Sequence, residues 1–162
     1  MAYNTDGVVG LSLGTSAVDD GISLNKEVTG TDGSKWLRII AGSAIAQYDT
    51  VHIASSGTAN PITAALAKTA GRIGFAQVAH ASGATGWVQI CGSGFRLNVG
   101  ASCLSGVPLY TTDTAGTLDD ATVSASQYLV MGVQIVATNS GSASNVAGVA
   151  ASYPIVRIPL NV

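Results

Sequence analysis

The sequence predicts an all-β protein, built of duplicated small barrel or sandwich units behind an N-terminal extended arm. Three observations carry this prediction. Residues 42–83 can be laid on residues 100–141 at a fixed offset of 58, with seven identities at Gly42, Ala67, Gly74, Val78, Ala79, Ser82 and Gly83. Internal self-similarity of this kind marks repeated structural units. The apolar register follows: Ile45 meets Cys103, Val51 meets Leu109, Ile73 meets Met131 and Phe75 meets Val133, and after a ten-residue insertion Val88 and Ile90 meet Val156 and Ile158. Finally, short β-rich runs are separated by Gly- and Ser-rich joints, which is the pattern of strands and turns.

Residues 1–35 lie outside the repeat and are expected to form an arm or hairpin. They hold two strand-like runs, 8–13 and 22–28, with polar joints at Gly14-Thr15-Ser16 and Asp19-Asp20-Gly21. The first β unit spans 36–99. It opens with Trp36-Leu37-Arg38-Ile39-Ile40 and continues with Val51 and Ile53 alternating with Thr50 and His52. Residues 61–70 are the best helix candidate, because Pro61 stands near a first helical position. Residues 72–79 and 87–91 read as strands, Gly92-Ser93-Gly94 reads as a turn, and Phe95, Leu97 and Val99 alternate with Arg96 and Asn98. The second unit, 100–162, completes one compact body. Its runs at 128–137 and 155–158 mirror 72–79 and 87–91, and Pro154 and Pro159 favour an edge position for the last strand. Gly74 and Gly132 recur at the same repeat position and predict a shared bend. The predicted core is Val51, Ile53, Ile73, Phe75, Val88 and Ile90, with Leu109, Met131, Val133, Val156 and Ile158 as counterparts.

Composition excludes several function classes. Charged residues make up 10% of the chain and the net charge is −2, against about 25% charged residues in an average domain. So little charge argues for stable association between copies. No Lys/Arg cluster offers a nucleic-acid footprint. No apolar run reaches the roughly 18 residues of a membrane helix. The first six residues lack a basic start and an apolar core, so no signal peptide is expected. Cys91 and Cys103 are then expected to be reduced, with Cys103 a small buried hydrophobe.

Candidate chemistry is sparse. His52 and His80 are the only histidines and have no ligand spacing; His52, alternating with apolar neighbours, is expected to face solvent or a subunit contact. Asp19-Asp20 and Asp119-Asp120 read as solvated turn residues rather than calcium ligands. Gly10-Leu11-Ser12-Leu13-Gly14 matches the letters of a nucleophile elbow without its strand–turn–helix context. No catalytic centre, metal or cofactor is expected. Trp36, Trp87 and Tyr110 are candidates for an aromatic sugar platform, against the simpler role of core anchors.

Four strings together resemble a known family: Ala44-Ile45-Ala46-Gln47-Tyr48-Asp49, Gly74-Phe75-Ala76-Gln77-Val78-Ala79, Gly86-Trp87-Val88-Gln89-Ile90-Cys91-Gly92 and residues 109–120. In this order they look like the head decoration, or cement, proteins of marine tailed bacteriophages. The resemblance covers Trp36 onward and brings no catalytic motif. It implies a virion protein on the outer surface of the head, assembled in the host cytoplasm, that binds the major capsid protein and cements neighbouring capsomers. It also implies a homo-oligomer, a trimer ahead of a dimer, with neither nucleic acid nor membrane as partner. The alternative is a virion-borne receptor- or glycan-binding β module. In the arm, Val8, Val9, Leu11, Leu13, Ile22, Leu24 and Val28 are apolar at strand-like spacing. A lone hairpin is marginal in water, so these seven are the expected contacts with capsid or sister subunit.

Overall fold

The computed structural model describes residues 12–14, 21–121, 127–139 and 145–157. Ten strands follow in order: β1 (Glu27–Thr29), β2 (Lys35–Ala41), β3 (Thr50–Ile53), β4 (Thr58–Pro61), β5 (Arg72–Phe75), β6 (Thr85–Val99), β7 (Leu109–Thr111), β8 (Leu118–Asp119), β9 (Leu129–Ile135) and β10 (Asn145–Arg157). The fold is all-β, as the alternation and turn chemistry predict.

The duplication is visible in the pairing. Strands run in the order β1-β2-β4-β3-β5-β6-β10-β9-β7-β8, and two further pairings, β2–β6 and β6–β8, close two rings. The first ring is β2-β4-β3-β5-β6; the second is β6-β8-β7-β9-β10. Each contains one parallel pair, Ile40↔Thr58 in β2–β4 and Val99↔Leu118 in β6–β8, and is otherwise antiparallel. The 15-residue β6 belongs to both. Its N-terminal half pairs with β2 and its C-terminal half with β10. Gly92-Ser93-Gly94, expected to be a turn, instead carries the chain from one barrel to the other. Gly92 (φ 133°) and Gly94 (φ 77°) take positive-φ conformations that favour glycine, and the β6–β10 register skips Gly94 as a bulge.

Burial follows the predicted faces in the first barrel. Val51, Ile53, Ile73, Phe75, Val88 and Ile90 are all buried, and Phe95, Leu97 and Val99 turn inward while Arg96 is exposed. Phe75 and Phe95 meet at 5.0 Å between ring centroids, stitching β5 to the second half of β6. β3, however, is buried on both faces. His52 is therefore not solvent-facing: its ring lies against Gly71, where a side chain would collide, and its Nε2 is 3.2 Å from Thr69 Oγ1.

The second barrel departs from the sequence register. Leu109 is buried, and Val133 and Val156 pack partly buried against the core, but Met131 is 44% exposed. Ile158 lies outside the described residues. The reason for Met131 is a slip in pairing. In the first barrel Val51 faces Gly74; in the second Leu109 faces Val130, two residues earlier than an offset of 58 requires. Met131 thus passes beyond the end of β7. Gly132 then turns left-handed (φ 81°), whereas Gly74 has no positive φ. Gly74 stays a small residue because a side chain there would press on Val88. The shared bend predicted from the two glycines is not shared.

The expected helix at 61–70 is also absent. Pro61 belongs to β4, opposite Val51, and the Ile62 amide donates to the Thr50 carbonyl. Strand pairing claims these residues and leaves one 3-10 turn, Leu66–Lys68, whose Leu66 amide is capped by Thr63 Oγ1. In the repeat counterpart of this stretch, residues 118–126, Leu118–Asp119 form β8, and residues 122–126 lie outside the described residues.

A candidate association surface on the second barrel

The seam between the barrels is built from polar groups on loops. Asp49, nearly buried, accepts from the Ala46 amide (2.8 Å) and from Asn98 Nδ2 of β6 (3.0 Å). Gly116, in the β7–β8 loop, lies against the Asp49 carboxylate; it donates its amide to Ile62 and accepts from the Thr50 amide. Burial pushes the Asp49 carboxyl above the usual range despite both hydrogen bonds. Gln77 adds a side-chain clamp, donating to the Arg96 carbonyl and accepting from its amide.

The arm residues divide. Leu13 and Val28 are buried against Trp36 and Trp87 of their own chain, with Ile22 packed beside them. Leu24 is half-buried and lies close to Gly57. Val8, Val9 and Leu11 lie outside the described residues. The root of the arm is therefore covered by its own first barrel. The same cluster removes the sugar platform: Trp36 and Trp87 are core anchors, and Arg38 stacks over the Trp87 ring at 5.4 Å.

Cys103, Asp119 and Asp120 come together, with one candidate ligand atom from each within 4.8 Å of the others. Their oxygens already serve the loops. Asp119 Oδ1 accepts from the Asp120 and Ala121 amides, and Asp120 Oδ2 accepts from the Leu104 amide at 2.9 Å. Burial, with Asp120 beside it, pushes the Cys103 thiol up to about 11, so it is protonated at neutral pH. Burial and the neighbouring Asp120 raise the Asp119 carboxyl as well. The cluster is a loop clasp. Cys91 and Cys103 are both free thiols.

What the second barrel does present is apolar surface. Met131 and Ile155 are a cross-strand pair on β9 and β10, and Ile155 is 56% exposed. Tyr153, Val136 and Leu104 are exposed too. The β9–β10 register skips from Ala151 to Ile155, and in this bulge Tyr153 takes a left-handed conformation (φ 46°). Its hydroxyl donates to Glu27 Oε1 at 2.6 Å, and the other Glu27 oxygen receives Arg72 Nη2 at 3.2 Å. That triad ties β1, β5 and β10. Beside the bulge, Val107, Pro108, Val130, Met131, Val133 and Ala151 line a groove of about 580 Å³ with no charged residue among its described walls. Hydrophobic periodicity failed to find this face because Met131 scans as core; a register slip between two repeats carries no sequence mark.

No protein-family model, curated protein or solved structure matches this chain.

Proposed function

We propose that the chain is a structural virion protein that binds the outer face of the major capsid protein and cements neighbouring capsomers. The observation that carries the proposal is the exposed apolar ribbon of Met131, Val136, Tyr153 and Ile155 on a chain with so little charge. Met131 and Ile155 adjoin as a cross-strand pair, and adjoining exposed apolar side chains mark interaction surfaces. Support also comes from architecture. Two rings sharing one strand leave few open edges, and closure guards against indiscriminate strand pairing. A body in which β6 runs through both rings and the Asp49 seam joins them suits a protein that must hold its shape on a shell. The four sequence strings that resemble phage head decoration proteins point the same way. The oligomer favoured is a homotrimer. The receptor- or glycan-binding alternative loses its aromatic platform, since both tryptophans are buried.

The test is reconstitution. Purified chain added to capsid shells lacking it should bind the outer face saturably, in a fixed ratio to the capsid protein, and raise the temperature at which the shells rupture. Shells that bind no chain, or bind it without gaining stability, would overturn the proposal.

A further inference from the structure

We infer that the uncharged groove on the second barrel is the seat for residues 7–11 of a second copy of this chain. The inference rests on reading the chain as a self-associating structural module, but not on the identity of the shell it binds. Three observations lead there. The groove has apolar and neutral walls, among them Val107, Val130, Met131 and Val133. A charged peptide would lose its hydration there without a partner. Residues 7–11, Gly-Val-Val-Gly-Leu, are uncharged, include two β-branched valines and match the groove in chemistry. They also stand immediately before a fixed root: Leu13 is fully buried against its own tryptophans, and Gly14 lines the same pocket as Ser93 and Gly94. Residues 12–14 therefore give the segment a fixed anchor, and eleven residues span up to about 36 Å when extended.

The size of the apolar surface favours a second copy over the chain's own arm. Leu104, Val136, Tyr153 and Ile155 are all exposed yet lie outside the groove walls. Five residues fill the groove but cannot also cover these four. A second copy brings a body along with its segment. The contact is heterologous, groove to arm, so successive copies close into a ring when the rotation permits. That is the geometry a trimer requires. With a net charge of −2 per chain, mutual repulsion is weak.

Met131 supplies the readout, because Met1 is the only other methionine. Thioether oxidation by dilute peroxide follows exposure, and peptide mass spectrometry separates the two sites. In the full-length chain, Met131 oxidation should slow on the order of fivefold between a dilution where the protein sediments as a monomer and a concentration where it assembles. The full-length variant V8D/V9D/L11D should remain monomeric and oxidise at the free rate throughout. Its fold is checked by its circular dichroism, and Asn4→Asp, outside the segment, should behave as the unaltered chain. Protection that persists at every dilution would place the chain's own arm in the groove and overturn the inference. An assembled protein with Met131 still fully reactive, or a variant that assembles and is protected, would overturn it as well. Each of these outcomes is read in solution and leaves shell binding to be judged separately.

Discussion

Replacing Gly116 with alanine tests the seam between the two barrels. Gly116 has φ 78°, and a methyl group built on it would stand 2.4 Å from Asp49 Cγ. Two costs follow. An L-residue in the left-handed region costs about 1–2 kcal/mol. The methyl also displaces a nearly buried carboxylate that holds the Ala46 amide and Asn98 Nδ2 at 2.8 and 3.0 Å. Hydrogen bonds to a charged group contribute about 1.5–3 kcal/mol each. Asp49 is expected to shift rather than leave, which puts the total near 3–6 kcal/mol, a large share of the roughly 5–15 kcal/mol that holds a domain together. Gly83→Ala separates the two terms. Gly83 has φ 80° but nothing within 4 Å of the added methyl, so it incurs the backbone cost alone. Urea unfolding should show Gly116→Ala losing at least about 2 kcal/mol more than Gly83→Ala. Equal losses would mean that the Asp49 contact contributes nothing and that the seam is described wrongly.

Four further outcomes are expected. His80 is buried, neither ring nitrogen has a hydrogen-bond partner of normal geometry, and burial pulls its pKa below the ordinary 6.5. Above 6.5 both folded and unfolded chains carry it neutral; as pH falls below 6.5 the unfolded chain takes up the proton more readily. The melting temperature should therefore drop from pH 7 to 5, and His80→Leu should flatten the drop; a wild-type profile level across that range would refute this. Phe75→Ala should cost about 3–5 kcal/mol in urea unfolding, since it empties the site where β5 meets β6. Ile155→Glu, on the exposed ribbon, should leave stability within about 0.5 kcal/mol yet abolish assembly measured by sedimentation. A colorimetric thiol assay at pH 8 should titrate Cys91 in the folded chain, and Cys103 only after denaturation, because Cys103 is wholly buried with its thiol pushed up to about 11.

The fold class was legible because alternation and glycine-rich joints are local signals. The duplication was legible in outline: Ala41, Ile53 and Ala59 find partners that Val99, Thr111 and Leu118 repeat. The details were lost to bulges. The loop before β8 gains one residue over its counterpart before β4, and β9 slides by two, so a single offset of 58 misplaced Met131. Gly92-Ser93-Gly94 has turn composition, but glycines serve a sharp strand bend equally well, and only the paired neighbours β2 and β10 decide between them. Residues 61–70 have helical composition, yet Pro61 and Ile62 are captured by β3, a tertiary claim no local pattern reports. His52 alternates like a surface residue on a strand that turns out to be covered on both faces. The association surface was the least legible part. Its one residue that the repeat register assigns to the core, Met131, is exposed where β9 runs past its pairing with β7, and the others carry no periodic signal that separates contact from solvent.

The most direct test of a cementing role is the copy number and position of the chain on the particle that carries it. A reconstruction of the intact virion should place the chain on the outer face of the head at every equivalent capsomer junction, with the β9–β10 ribbon of the second barrel buried in contacts. Density for a few copies on the tail, or copies on the head with that ribbon facing solvent, would contradict the account.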